Sequence, residues 1–272
     1  MDHRWVARMV LLRRNSLRRC AALLLFLLVG MGVSPRDSLG QGRPVDLELA
    51  LLVDVSASVS DEEFHLQAGG LAAAMSSDRV LEAVANHLPN GLAVVVIQWA
   101  NQESQGVSVD WALLRSKGDL LAYAERVRRM PRLFDSGNTA LSSALVTALR
   151  EMRGNGFSGL RQVIDLSGDG RNNDGFRLSR AREEVLEAGV TINGLPILNE
   201  LPFLDRYFRD YVIGGPGAFY VVADDYQDFG AAMTEKLWRE ILAQPITRRF
   251  RPQRSQGQSA ASARAMASGA GP

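Results

Sequence analysis

Apolar positions fall along this chain in two alternating kinds of block. Residues 45–53 (VDLELALLV) form an almost unbroken apolar run, the pattern of a strand buried on both faces. Residues 92–99 (LAVVVIQW), 160–166 (LRQVIDL), 190–195 and 218–223 (AFYVVA) repeat it. Residues 106–111 (GVSVDW) alternate instead, and predict a short edge strand in a hairpin with 92–99. Between these blocks the period becomes helical. Ser60-Asp61-Glu62-Glu63 is a capping box that opens a helix reaching about Ser77. Further helices are predicted over 117–129, 139–152, 178–188, 203–212 and 226–242. Phe203, Tyr207, Phe208 and Tyr211 read as a core stripe at helical spacing. The alternation predicts an α/β fold, with a doubly wound, mostly parallel central sheet, helices on both faces and one short antiparallel edge strand.

The ends do not follow this pattern. Arg4, Arg8, Arg13, Arg14, Arg18 and Arg19 precede an apolar run at 21–33, which is shorter than the roughly 20 residues a membrane helix needs. Arginines before a short apolar core, then Ser38-Leu39-Gly40, predict a signal peptide over 1–40 with cleavage after Gly40. An uncleaved signal anchor is the alternative, and would be the chain's membrane contact. Residues 248–272 are rich in Ser, Ala, Gly and Gln with five arginines and no acid, the composition of a disordered basic tail. That leaves 41–247 as the domain.

Charge sharpens the division. The net charge of +1 over 272 residues is the sum of +5 in 1–40, −9 in 41–247 and +5 in 248–272. An acidic domain argues against nucleic acid as partner, because phosphates need a basic face. The one cysteine, Cys20, lies in the leader, which excludes a disulfide framework and a cysteine zinc site.

In doubly wound sheets ligands sit beyond the carboxyl ends of strands. Three segments fall there. Asp54-Val55-Ser56-Ala57-Ser58 follows the first strand, Asp135-Ser136-Gly137-Asn138-Thr139 opens a helix, and Ser167-Gly168-Asp169-Gly170 follows the 160–166 strand. Alternate positions 54, 56 and 58 can converge on one side, giving one carboxylate and two hydroxyls. Such hard oxygens suit Mg²⁺, Mn²⁺ or Ca²⁺. Thr139 and Asp169 would join them from neighbouring loops.

These residues resemble the von Willebrand factor A domain, over about 46–242. Asp54, Ser56 and Ser58 match the D-x-S-x-S of its metal-ion-dependent adhesion site. Thr139 matches its separate threonine, and Asp169 its aspartate after the central strand. Gly168 departs from the Thr-Asp-Gly of many members, which bears on packing rather than on a ligand. A leader followed by one such domain also resembles a bacterial group of exported proteins. The resemblance implies Mg²⁺, with Mn²⁺ or Ca²⁺ as substitutes, bound directly by Ser56 and Ser58. Thr139 would bind directly or through water, while Asp54 and Asp169 would mostly accept hydrogen bonds. It also implies a periplasmic or extracellular, non-enzymatic module that grips an acidic residue on a partner protein. In some members the last helix, here 226–242, moves on binding.

A metal-dependent hydrolase of phosphate or peptide substrates, using the same site, is the second reading. Asp54 and Asp169, both already engaged, are the carboxylates at hand as general base. His65 and His87 stand beside no nucleophile, and G-x-S-x-G and P-loop motifs are absent from the sequence. Asn172-Asn173-Asp174 reads as a flexible turn, with a second cation site as the alternative. Trp99 and Trp111 read as packing residues.

Overall fold

The computed structural model describes residues 42–243, so the expected leader at 1–40 and basic tail at 248–272 lie outside the described residues. Strands β1 (Arg43–Asp54), β2 (Leu92–Trp99), β3 (Gln105–Leu114), β4 (Phe157–Gly168) and β5 (Thr191–Pro196) form one sheet in the order β3-β2-β1-β4-β5. Neighbours are parallel except β2 and β3, which form the expected antiparallel pair. β3 is ten residues long, not short. Its alternation is interrupted by register shifts against β2, which hid its length in the sequence. Leu52 stands opposite both Ile97 and Leu166, so β1, β2 and β4 end at one edge of the sheet.

β1 sits at the centre, and every residue of β2 is buried, as their apolar runs require. Odd positions of β1 (Leu47, Leu49, Leu51, Val53) pack under α1 (Asp61–Ser76), α2 (Asp78–His87), α3 (Lys117–Arg128) and α7 (Phe229–Leu242). Ala50 and Leu52 face the opposite layer of α4 (Leu141–Gly154), α5 (Leu178–Glu187) and α6 (Leu204–Tyr207), with a wide turn at Phe208–Val212 after α6. Against its neighbour, α7 approaches closely: a Cβ on Gly70 of α1 would stand 2.9 Å from the Gly230 Cα.

Three sequence expectations change. Residues 218–223 run parallel beside β5 through isolated bridges rather than as a full strand. Gly194 N–H donates to Phe219 O, Val221 N–H to Gly194 O and Ala223 N–H to Pro196 O. The bond between the last two would need an N–H on residue 196, and Pro196 has none, although Leu198 N–H bonds Ala223 O beyond it. Residues 78–87, unassigned from sequence, form α2, whose N-cap Ser77 also ends α1. Its buried set of Val80, Leu81, Ala83 and Val84 is spaced as one face of a helix behind the Ser77 cap, a helical signal that was present in the sequence. The aromatic stripe also breaks: Phe208 is buried, but Phe203 and Tyr211 are 60% and 61% exposed. Phe203 stands ahead of α6, and Tyr211 stacks on the half-buried Tyr207 with ring centroids 5.4 Å apart rather than entering the core.

One polar cluster lies inside the α7 layer. Lys236 Nζ, fully buried, stands 3.0 Å from Asp165 Oδ2 of β4 and 3.1 Å from Glu240 Oε1 one turn further along α7. Asn193 of β5 donates to the same Glu240 oxygen at 2.7 Å. No sequence signal marked this cluster.

Candidate metal centre

The sheet order places a switch point between β1 and β4: the chain leaves β1 towards β2 on one side and later returns to β4 on the other. Asp54 is the last residue of β1 and Asp169 follows the last residue of β4. Their strands are adjacent, so both carboxylates stand at the same crevice.

The serine loop folds back on Asp54. Ser56 N–H donates to Asp54 Oδ1 at 2.8 Å, and Gln67 of α1 donates to the Asp54 carbonyl at 2.9 Å. Ser56 Oγ and Ser58 Oγ are 3.2 Å apart. Ser58 Oγ–H then donates to Asp169 Oδ1 at 2.9 Å, across 111 residues of sequence. The other oxygen of Asp169 accepts from Tyr226 OH at 3.0 Å. Tyr226 lies just ahead of α7 and was not picked out from the sequence.

Thr139, buried, is held by its backbone. Its N–H donates to Asn173 Oδ1 at 2.8 Å, and its carbonyl accepts from Asn173 N–H at 3.0 Å. A Cβ on Gly170 would stand 3.0 Å from Thr139 Oγ1, so the threonine packs directly on the residue after Asp169. The structure therefore brings Asp54, Ser56, Ser58, Thr139 and Asp169 to one end of the sheet.

The side chains of Asn172-Asn173-Asp174, read from sequence as a flexible turn, are tied to backbone N–H groups. Asn172 Oδ1 accepts from Ser142 N–H in the first turn of α4, Asn173 from Thr139, and Asp174 from the N–H groups of Gln102 and Gly175. These side chains serve as caps for backbone elsewhere.

Gly168 has a physical reason at its position. A Cβ there would meet Asp54 Oδ2 at 2.8 Å and the Trp99 ring at 3.1 Å. The carboxylate and the indole fill the room that a larger residue would take.

Electrostatically the site is short of positive charge. Burial, and next the negative charge of Asp169, push the Asp54 carboxyl up to about 7. Burial raises Asp169 as well, against the hydrogen bonds from Ser58 and Tyr226. Burial and then Asp169 raise the Tyr226 phenol, which stays protonated as a donor. Asp54 Oδ2 is buried without a hydrogen-bond partner among the described residues. Two carboxylates, one of them with an orphaned oxygen, and three hydroxyls fit a hard divalent cation. Among the described residues no three His, Cys, Asp or Glu side chains cluster as a metal site. A centre here would therefore depend on hydroxyl oxygens.

A cavity of about 330 Å³ lies at the opposite end of β4 and β5, lined by Arg161, Asn193, Phe219 and Glu240 among others. Its carboxamide and carboxylate, both from the Lys236 cluster, bond each other, and it shares none of the candidate metal-site residues.

Strand order and the loops at the β1/β4 crevice define the class: this is a von Willebrand factor A fold. A von Willebrand factor type A structure from Catenulispora acidiphila is similar at TM-score 0.52 and 16% identity, over 72% of this chain and 42% of that one. Proximal thread matrix protein 1 of the mussel byssus gives TM-score 0.51 and 16% identity, over 72% and 46%. The pilus adhesin SpaC from Lactobacillus rhamnosus GG gives 0.51 and 12%, over 74% and 31%. This chain thus spans less than half the length of each, and at such identity the likeness shows the fold alone. No curated protein matches the sequence. Residues 44–245 match the family described as "Protein of unknown function (DUF1194)", and the chain belongs to that family.

Proposed function

We propose that this domain is a divalent-cation-dependent protein-binding module of adhesion type. Asp54, Ser56, Ser58, Thr139 and Asp169 would hold Mg²⁺, with Mn²⁺ or Ca²⁺ as substitutes. The three hydroxyls offer neutral oxygens, and the two carboxylates offset the charge of a divalent ion. Ser58 turns its proton towards Asp169 and accepts from the Ser56 hydroxyl, which leaves one lone pair on its oxygen to face a cation. Asp169, engaged at both oxygens by Ser58 and Tyr226, balances charge from behind the hydroxyls. A bound ion would supply a Lewis-acidic position for a carboxylate oxygen from a partner protein.

The observation that carries this reading is Asp54 Oδ2, a buried carboxylate oxygen with no hydrogen-bond partner among the described residues, at the same crevice as the hydroxyls. An anion so placed is costly unless it meets positive charge. Export to the periplasm or beyond is part of the proposal, supported by the arginine-rich, apolar leader at 1–40. Among the described residues no helix is long and apolar enough to cross a membrane. The pilus adhesin and byssus protein named above share the fold, which is compatible with a binding role.

Calorimetric titration of the full-length chain with Mg²⁺ and Mn²⁺ tests the site. Asp54→Ala is expected to abolish binding and to keep the circular dichroism of a folded α/β domain; unchanged affinity refutes the ligand set. A pull-down from envelope extract, in Mg²⁺ and again in EDTA, then tests for a metal-dependent partner. Phosphatase or esterase turnover that disappears in Ser56→Ala would assign the site to a hydrolase instead.

A further inference from the structure

Arg132 lies in the segment between α3 and α4, with its side chain only 10% exposed. Its guanidinium is turned onto the serine loop. Nη2 donates to the carbonyls of Val59 at 2.8 Å, Val55 at 3.2 Å and Ser56 at 3.4 Å. Nε donates to the carbonyl of Phe134 at 2.8 Å, within its own segment. Nη1 pairs with Asp61 Oδ1 at 3.0 Å, at the start of α1. One side chain thus gathers the main-chain oxygens on both sides of Ser56 and Ser58.

We infer that Arg132 is a positioning residue for the candidate cation site, and that it withdraws the main-chain oxygens of the serine loop from the ion. This rests on the metal reading above. A loop of this kind has two sets of oxygens to offer, hydroxyls and carbonyls. Ca²⁺ takes six to eight oxygens in flexible geometry and readily uses main-chain carbonyls, whereas Mg²⁺ wants about six in near-octahedral order and keeps water. With the Val55 and Val59 carbonyls bound to the guanidinium, and the Ser56 carbonyl taken by the Val59 N–H, the loop presents its hydroxyls in one fixed arrangement. Arg132 therefore favours a small, hydrated cation over one that must collect many protein oxygens. Lysine cannot reproduce this, because its one nitrogen cannot hold the loop carbonyls while also anchored to the Phe134 carbonyl, as Nη2 and Nε do together. The Asp61 carboxylate is 88% exposed, so that ion pair is a surface contact of small effect. The carbonyl contacts form the working part of the clamp.

The test titrates full-length wild type, Arg132→Lys, Arg132→Met and Asp61→Asn with Mg²⁺ and Ca²⁺ separately, alongside thermal unfolding in EDTA. Arg132→Lys and Arg132→Met are each expected to lose about tenfold or more in Mg²⁺ affinity, the usual effect of losing a residue that orients ligands. Ca²⁺ affinity should fall less, so the Mg²⁺:Ca²⁺ preference moves towards Ca²⁺. Asp61→Asn should match wild type for both ions. A folded Arg132→Lys with wild-type affinities overturns the inference, as does lowered thermal stability with the ion preference intact. If Arg132→Met does not fold, Arg132→Lys decides. Tighter Mg²⁺ binding in Arg132→Met, with Arg132→Lys unaltered, would reveal simple charge repulsion and also overturn it. Absence of cation binding by wild type removes the metal reading and this inference together. Binding by wild type with Arg132→Lys unchanged removes this inference alone.

Discussion

Asp54 is a fully buried carboxyl whose affinity for a proton is raised by its surroundings, up to about 7. An unfolded aspartate titrates near ~3.9. The folded value is the higher one, so protonation stabilises the metal-free fold. That contribution is complete below about pH 4 and is lost as pH rises through about 7. Asp54→Asn keeps an acceptor for Ser56 N–H and has no charge to bury. Its stability relative to wild type, from urea denaturation in EDTA, is expected to climb between about pH 4 and about pH 8. A constant difference across that range would mean that Asp54 ionises without penalty. Three of the candidate residues were legible from spacing alone, since Asp54, Ser56 and Ser58 are local neighbours. Thr139 and Asp169 were legible from their places at a helix start and a strand end. Arg132 was not, because its acceptors are main-chain carbonyls, which every sequence supplies. Tyr226 was not, because nothing near it in the sequence points to a carboxylate 57 residues away.

Among the elements, α7 is held in the least expected way. Its Lys236 is enclosed with Asp165 and Glu240, and burial pushes the Asp165 carboxyl up to about 6 against the pull of the ammonium. Removing one partner of such a group strands the others. Lys236→Met is expected to cost roughly 3–5 kcal/mol in urea unfolding at neutral pH. Adding Asp165→Asn and Glu240→Gln should recover part of that loss, and no recovery would show that packing dominates. The apolar pattern that predicted this helix is blind to the cluster, because a lone lysine in an amphipathic helix reads as solvated. Pro196 shows the reverse case. The apolar run at 218–223 does come to lie beside β5, but the ladder breaks where the neighbouring strand has no N–H to give.

At the level of the whole domain, a ligand that binds only the folded state raises its stability by mass action. Mg²⁺ at roughly 100 times its dissociation constant should add about 2.7 kcal/mol. For a domain of this size that is a rise of roughly 5–10 °C in Tm. Differential scanning fluorimetry of the full-length chain should show this rise in wild type and not in Ser56→Ala. Equal shifts in both would mean that the ion binds elsewhere. The layered architecture was legible because apolar strands and amphipathic helices alternate along the chain. The full length of β3 was not, since it slips register against its neighbour; α2 carried a readable cap and period, but is a short helix directly behind a longer one. The enclosed lysine also bears on how such a domain could work. A helix tied by Lys236 at its middle, and preceded by a phenol bonded to Asp169, is a strut. Sliding it one turn, about 5.4 Å, would carry Lys236 and Glu240 together but drag the ammonium away from Asp165 on β4 and Glu240 away from Asn193 on β5. On the proposed function, grip on a partner should then follow the supply of cation, like a hook that is always set rather than a trigger to be pulled.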